Sequence, residues 1–290
     1  MNYRNLLRNT VFMAYFNAIT VAAVVAGWRL LQGAPVLGWL GVLLTTAPLV
    51  AYVSYALLTL RVARTSQRLP LIGAQAVLGV ALAAYGALAS PEGWLPLALA
   101  GAFLLGFIWY AYSFAGFLGA RPSPRLAPGQ RLPDFVLRDA QGQAVTSAHL
   151  FKQPLVLIFY RGNWCPFCMA QVKELAQRYR DIEALGAGIA FISPQPQAKS
   201  AALSQRFEIP ARFLVDEGNT LARQLGIDSA WGIPTGLQAL GYASDTVMPT
   251  VVITAPGGRI LWADETDNYR VRPEPGTYLE VLRREALVAA

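Results

Sequence analysis

The sequence predicts two architectures in one chain: an α-helical bundle of about four transmembrane spans, then an α/β domain with a mixed central sheet. Three observations predict this. The 290 residues are 54% hydrophobic and only 14% charged, well below the ordinary quarter of charged residues in a soluble protein. Four long apolar runs fill residues 1–120. Beyond residue 131, short apolar runs alternate with helix-like segments.

The apolar runs cover residues 10–31, 36–60, 69–89 and 94–119. Each reaches the roughly 20 residues that cross a hydrocarbon core about 30 Å thick. Turn-like breaks separate them: Gln32-Gly33-Ala34-Pro35, the stretch from Arg61 to Arg68, and Ser90-Pro91-Glu92-Gly93. The first run is too long for a cleavable signal peptide, and further spans follow it. Trp28, Trp39, Trp94 and Trp109-Tyr110 mark the edges, where amphipathic rings favour the headgroup zone. Gly79, Ala83 and Ala87, and then Ala102 and Gly106, recur every four residues. Small residues at that spacing let helices approach closely, which predicts a packed bundle. Asn17 and Gln75 fall within spans and are expected to hydrogen-bond between helices.

Charge divides the chain in two. Residues 1–131 hold nine Arg, no Lys and one acid, Glu92, a net +8; the remainder is −1, which makes the overall +7. The excess Arg flanks apolar runs. It therefore reads as membrane topology and not as a nucleic-acid footprint, and the expected partner of this half is membrane lipid. Arg4 and Arg8 precede the first span, Arg61, Arg64 and Arg68 fill the second loop, and Arg121, Arg125 and Arg131 follow the fourth span. In a four-span protein these three positions share one side. The opposite side offers only Arg29 and Glu92. The positive-inside rule makes the basic side cytoplasmic. The expected location is the plasma (inner) membrane, with the C-terminal domain facing the cytoplasm; a domain facing outward is the alternative.

Residues 121–131 form a Pro- and Arg-rich linker. Proline makes it a semi-rigid spacer, and its arginines suit anionic headgroups. This divides the chain into a membrane domain, 1–120, the linker, and an α/β domain, 132–290. In the last, residues 135–137 and 144–145 read as short strands about the Ala140-Gln141-Gly142 turn. Residues 155–160 are continuously apolar, as expected of a strand buried on both faces. Residues 165–185 read as a helix with Pro166 at its first position. Strands at 188–192 and 212–215 alternate with helices at 197–207 and 219–225. Strands at 250–254 and 259–263 flank Pro256-Gly257-Gly258, a hairpin signal. A helix at 276–287 closes the domain. Strands alternating with helices, then a hairpin, then a helix, imply a mixed sheet covered on both faces.

The chemistry concentrates in Phe159-Tyr160-Arg161-Gly162-Asn163-Trp164-Cys165-Pro166-Phe167-Cys168. Cys165 and Cys168 are the only cysteines, three positions apart. A disulfide-stapled secreted domain needs more, spread further. A structural zinc or an iron–sulfur centre needs four ligands, and the chain has a single His. No metal and no cofactor is expected. The pair lies where a buried strand ends and a helix begins, and the unpaired N–H groups of a helix start favour a thiolate. A second Cys one turn along can close a disulfide. Arg161 adds positive charge, and no acidic residue lies in the ten-residue segment. His149 reads as a loop or helix-start residue, not a base. Trp164 reads as a platform beside the thiol or as simple packing.

Trp-Cys-Pro-Phe-Cys resembles the active site of the thioredoxin superfamily. The wider stretch resembles the peroxiredoxin-like (alkyl hydroperoxide reductase/thiol-specific antioxidant-like) family, over about residues 131–287. Three further segments carry that resemblance: Leu132-Pro133-Asp134-Phe135-Val136-Leu137 before a Gly turn, the Phe-Tyr-Arg-Gly-x-Trp-Cys-Pro-x-Cys signature, and Asp267-x-Tyr269-Arg270-x-Arg272-Pro273-Glu274-Pro275. The resemblance implies a thioredoxin-like fold and a thiol-dependent oxidoreductase with Cys165 and Cys168 as the catalytic pair. It also implies a cis proline facing the site, for which Met248-Pro249-Thr250 is the candidate. Arg270 or Arg272 either returns to the site as a thiolate or peroxide partner, or pairs at the surface with Asp267 or Glu274.

One departure matters. Peroxiredoxins carry Pro-x-x-x-Thr/Ser-x-x-Cys. Here Gly162 stands three before Cys165, and if Cys168 is overlaid on the peroxidatic position, Cys165 replaces the Thr. The thioredoxin arrangement is the better match, with Cys165 as the exposed attacking thiolate and Cys168 as the buried resolving thiol. The first expectation is thus a membrane-anchored thiol–disulfide oxidoreductase acting on a protein disulfide. The alternatives are a hydroperoxide reductase and a membrane redox sensor or scaffold. A thiol reductant of thioredoxin or glutathione type is the implied partner of either enzyme.

Overall fold

The computed structural model describes residues 3–116, 122–207 and 209–289, with side chains as far as residue 285. Gly119, at the end of the fourth apolar run, and Arg121, in the linker, lie outside the described residues. Two compact units result. One comprises Leu7–Leu60 with Thr65–Gly116; the other comprises the C-terminal half with the first residues and Arg61–Arg64.

The helical unit contains α1 (Arg4–Leu31), α2 (Val36–Thr59), α3 (Pro70–Ala89) and α4 (Trp94–Trp109), which runs into a π-helical turn, Tyr110–Phe114. Among the described residues, four helices are long and apolar enough to cross a membrane. α1 starts six residues before the apolar run, because Arg4 to Asn9, with Leu6 and Leu7 in its midst, is helix-compatible. Small residues set the α2–α3 approach. A Cβ placed on Gly79 would lie 2.6 Å from the Gly41 carbonyl oxygen, and one on Gly86 would lie 2.9 Å from the Gly38 nitrogen. Ala76, Ala83 and Ala87 are buried on the same helix. Backbones this close gain dispersion contacts that bulkier side chains would forbid. The expectation for the polar residues is corrected. Asn17 Nδ2 donates to the Met13 carbonyl one turn back, at 2.7 Å, and Gln75 is exposed on α3. A side chain that can reach its own helix needs no partner helix.

The second unit is a thioredoxin-like α/β domain. It begins with β1 (Val136–Arg138) and β2 (Ala144–Thr146), a hairpin, then the single turn α5 (Ser147–Leu150). β3 (Leu155–Phe159) leads into α6 (Pro166–Gln177) and the short α7 (Tyr179–Glu183). β4 (Gly188–Ser193), α8 (Gln197–Phe207), β5 (Arg212–Val215) and α9 (Thr220–Leu225) follow. β6 (Asp228–Ser229) and β7 (Thr246–Val247) pair across a long loop. β8 (Thr250–Thr254), β9 (Ile260–Asp264) and α10 (Pro275–Ala289) complete the domain.

The main sheet runs β2-β1-β5-β4-β3-β8-β9. β3, β4 and β5 are parallel, whereas β8 is antiparallel to β3 and to β9. Every residue of β3, β4 and β8 is buried, the pattern of central strands covered on both faces. One predicted helix is two: the chain breaks at Arg178 (φ −101°, ψ 7°) between α6 and α7. No Gly or Pro marks that break. It is set by packing, with Leu175 and Ile182 both fully buried.

The described residues of the linker are laid on the domain. Ser123 N–H donates to both Glu265 carboxylate oxygens at 2.9 Å, and its hydroxyl donates to the Leu225 carbonyl at 2.8 Å. Leu126 joins the core, and Gly129 and Gln130 bond with Ile260. The Arg125 guanidinium donates to the Gln224 carbonyl. Proline fixes the direction here, but buried backbone groups still need partners, and the domain edge supplies them.

Candidate active site

The cysteine loop leaves the C-terminal end of β3. Tyr160 continues the ladder through its N–H to the Ile192 carbonyl (2.9 Å) and is fully buried. Gly162 then turns the chain at φ +143°, where a Cβ would meet the Trp164 indole nitrogen at 2.6 Å. Only glycine fits both the backbone and the ring. Asn163 N–H donates to Gln195 Oε1 (2.8 Å), whose Nε2 donates to Tyr160 Oη (2.9 Å) and Ser200 Oγ (3.0 Å). Cys165 caps α6 in extended conformation with Pro166 at the first helical position, so Cys168 sits in the first turn.

Both thiols are free, and both are buried: Cys165 is 2% exposed and Cys168 0%. The expected exposed Cys165 is therefore corrected. The helix start is roofed by the rest of the domain, which no local pattern records. Arg272 comes from the segment between β9 and α10. Its Nη2 donates to Cys168 Sγ at 3.4 Å, its Nη1 to Gln171 Oε1 at 3.1 Å, and its Nε to the Tyr269 carbonyl at 3.1 Å. Gln171 lies one turn beyond Cys168 on α6, and its Nε2 donates to Tyr278 Oη of α10 at 3.1 Å. The fork of the guanidinium is thus used on three sides, which holds its plane.

The electrostatics separate the two sulfurs. Burial works against ionisation of Cys168. It is overcome by the hydrogen bond from Cys165, by the Arg272 charge, and by the Arg161 main-chain and guanidinium groups, which together lower Cys168 to about 5. Burial pushes the Cys165 thiol up, as does its hydrogen bond to Cys168. The two shifts run in opposite directions, and both favour keeping the shared proton on Cys165. This balance, with the Arg272 contact, favours Cys168 as the anion, whereas the expectation from the sequence put the thiolate on Cys165. The Cys165 hydrogen bond comes first, and Arg272, which meets Cys168 directly, adds its charge.

The remaining candidates divide. Arg161 stands beside the pair, its guanidinium carbon 4.7 Å from the Trp164 ring centroid and 5.4 Å from that of Tyr269. Trp164 is half-buried. Arg270 is fully buried, 6.0 Å from the Tyr269 ring, and its N–H bonds Asn268 Oδ1 at 3.0 Å. Arg272 is 6% exposed. Both arginines are thus buried and not at the surface. Met248 and Pro249 are buried just before β8. The register Phe159↔Thr250 sets them beside the start of the cysteine loop. Met248 bonds to Ile227 (2.7 Å) and accepts from Thr250 (3.0 Å), not to the thiols. His149 is exposed on α5 with Arg212 3.1 Å from its Nε2.

Residues 128–263 match a family model described as AhpC/TSA family. They form an AhpC/TSA-family domain, of the thioredoxin-fold, peroxiredoxin-like kind. Among curated relatives, the chain is 31% identical to chloroplastic peroxiredoxin Q of Arabidopsis thaliana over 109 residues, 38% of this chain and 48% of that protein. It is 28% identical to chloroplastic peroxiredoxin Q of Oryza sativa subsp. japonica over 113 residues, 39% and 49% of the two chains. The chain spans about half the length of the curated relatives it matches. Among solved structures, peroxidoxin BcpB from Mycobacterium tuberculosis aligns with a TM-score of 0.47 and 21% identity, over 55% of this chain and 97% of that one. Enterococcus faecalis AhpC aligns with a TM-score of 0.47 and 16% identity, over 56% and 93%.

Arg272 and Tyr278 lie beyond the residues matched to the AhpC/TSA model. Tyr160, Gln171, Gln195, Tyr269 and Tyr278 are residues of the site that sequence reasoning missed as participants. Gln171 carried a signal, since a position three beyond Cys168 on a helix shares its face. Tyr278 carried none.

Proposed function

We propose that this chain is a membrane-anchored hydroperoxide reductase in which Cys168 is the peroxidatic thiolate and Cys165 the resolving thiol. The observation that carries the reading is the contact of Arg272 Nη2 with Cys168 Sγ. It puts the anion on the sulfur that falls at the peroxidatic position when the chain is laid on the family pattern. The peroxiredoxin Q relatives and the AhpC/TSA match support the same reaction class. Disulfide exchange with a protein substrate has less support. It needs Cys165 as the attacking thiolate, and the S–H of Cys165 is engaged by Cys168.

The Cys168 thiolate attacks the distal oxygen of the hydroperoxide. An S–O bond forms and the O–O bond breaks. The sulfur loses two electrons to the peroxide, and the departing alkoxide takes the Cys165 proton to become the alcohol. Cys165, now a thiolate, attacks the Cys168 sulfenic acid. An S–S bond forms and hydroxide leaves, which solvent protonates to water. A dithiol or two monothiols of thioredoxin or glutathione type then return two electrons to the disulfide. Cys165 thus stands where the family pattern has a hydroxyl, and supplies both a hydrogen bond and the resolving sulfur.

The four apolar helices support anchoring in a bilayer, with lipid as the partner of that unit. The arginines at their ends support a cytoplasmic redox domain on the inner membrane. The deciding experiment is the oxidation rate of the fully reduced chain by stoichiometric hydroperoxide, followed by tryptophan fluorescence. The expected rate is far above that of a free thiolate. It is lost in Cys168→Ser and retained in Cys165→Ser, which stops at the sulfenic acid. A rate no better than a free thiolate removes the peroxidase reading.

A further inference from the structure

The Arg161 guanidinium is a cation without a carboxylate. Its Nη2 donates to the Gly232 carbonyl, and its Nε is buried without a hydrogen-bond partner. Its flanks are aromatic, Trp164 on one ring contact and Tyr269 on the other. Phe167 extends that wall, with its ring 5.6 Å from Tyr269. Among the described residues no acidic side chain pairs with it. A half-buried charge is costly to keep unpaired, and ring faces offset only part of that cost. The same guanidinium lies near enough to both thiols to favour their ionised forms.

We propose that Arg161 is a specificity-determining residue that binds a carboxylate on the substrate, so that the preferred substrate is an organic hydroperoxide carrying a carboxylate group. The inference rests on the peroxidase reading above. The aromatic wall receives the apolar body, Arg161 receives the carboxylate, and the peroxide oxygen is presented to Cys168. The reaction is the one already written; the carboxylate is unchanged by it. Charge-assisted bonds to a partly desolvated guanidinium are worth enough to change a rate constant about tenfold or more.

The test is a matched pair of probes, cumene hydroperoxide and its para-carboxylate derivative, which differ only in the anionic group. The full chain in detergent is reduced and mixed with each, and the two second-order oxidation rates are compared. The wild type is expected to favour the carboxylate probe by about tenfold or more. Arg161→Gln is expected to bring the ratio close to one, and Arg161→Lys to keep an intermediate ratio. The ratio is internal to each protein, so partial loss of folded material does not move it. A wild-type ratio near one overturns the inference and leaves the peroxidase reading standing. An equal fall for both probes in Arg161→Gln, with the ratio kept, also overturns it, since Arg161 then acts only on the thiolate. If neither probe oxidises the wild type faster than a free thiolate, the peroxidase reading fails and this inference falls with it.

Discussion

Arg272 Nη2 lies 3.4 Å from Cys168 Sγ although 104 residues separate them in the chain. The contact supplies a fixed positive charge at a sulfur that burial alone would keep protonated. An opposite charge at this distance lowers a pKa by about 1–3 units. Arg272→Met is therefore expected to raise the Cys168 midpoint by at least about one unit. For a one-unit rise it is expected to slow oxidation at pH 6 by about twofold, and more for a larger rise. Ultraviolet thiolate absorbance titrated against pH checks the first, and stopped-flow oxidation the second. An unmoved midpoint would mean that Arg272 does not set the charge on Cys168.

The pH profile follows from the sign of the shift. Cys168 is depressed to about 5, below the ordinary thiol range, so its anion is fully formed at neutral pH. The oxidation rate is expected to be flat between neutral pH and the mildly alkaline range. It should halve at about the midpoint and fall about tenfold per unit below it. Stability runs the same way. A depressed folded-state pKa contributes stability that is complete above the unfolded value and lost as pH falls through the folded one. The reduced protein should thus lose stability on acidification relative to Cys168→Ser. Parallel thermal melts of the two across that window measure the difference.

Gly162 holds φ +143° against the Trp164 ring. Gly162→Ala is expected to destabilise the domain by about 1–3 kcal/mol through backbone strain. It is also expected to displace Trp164, because the added methyl would occupy the indole's place. The measurement is thermal unfolding by near-ultraviolet circular dichroism, with tryptophan fluorescence reporting the ring. Unchanged fluorescence and melting would show that the loop relaxes freely.

Topology is open to labelling, since Cys165 and Cys168 are the only native cysteines. In a Cys165→Ser, Cys168→Ser background, Ser66→Cys lies in the basic loop and Ser90→Cys in the loop with Glu92. An impermeant maleimide applied to intact cells is expected to label position 90 and spare position 66. The reverse pattern would turn the redox domain outward.

Much of this protein was legible in its sequence, for a local reason. Alternation, apolar run length and turn residues are properties of neighbours in the chain. They located β3, α8, β5 and β8, and the helical character of the four apolar runs. Pro166 after Cys165 likewise announced a helix start with a cysteine at its cap. What sequence could not decide were quantities that depend on through-space neighbours. The break at Arg178 and the laying of Ser123 and Leu126 on the domain are settled by packing. The choice of thiolate is the clearest case. Cys165 and Cys168 have the same chemistry and nearly the same address. Desolvation and Coulomb energy fall on a group according to what surrounds it, and only the folded chain brings Arg272 to one of the two sulfurs and so favours its anion.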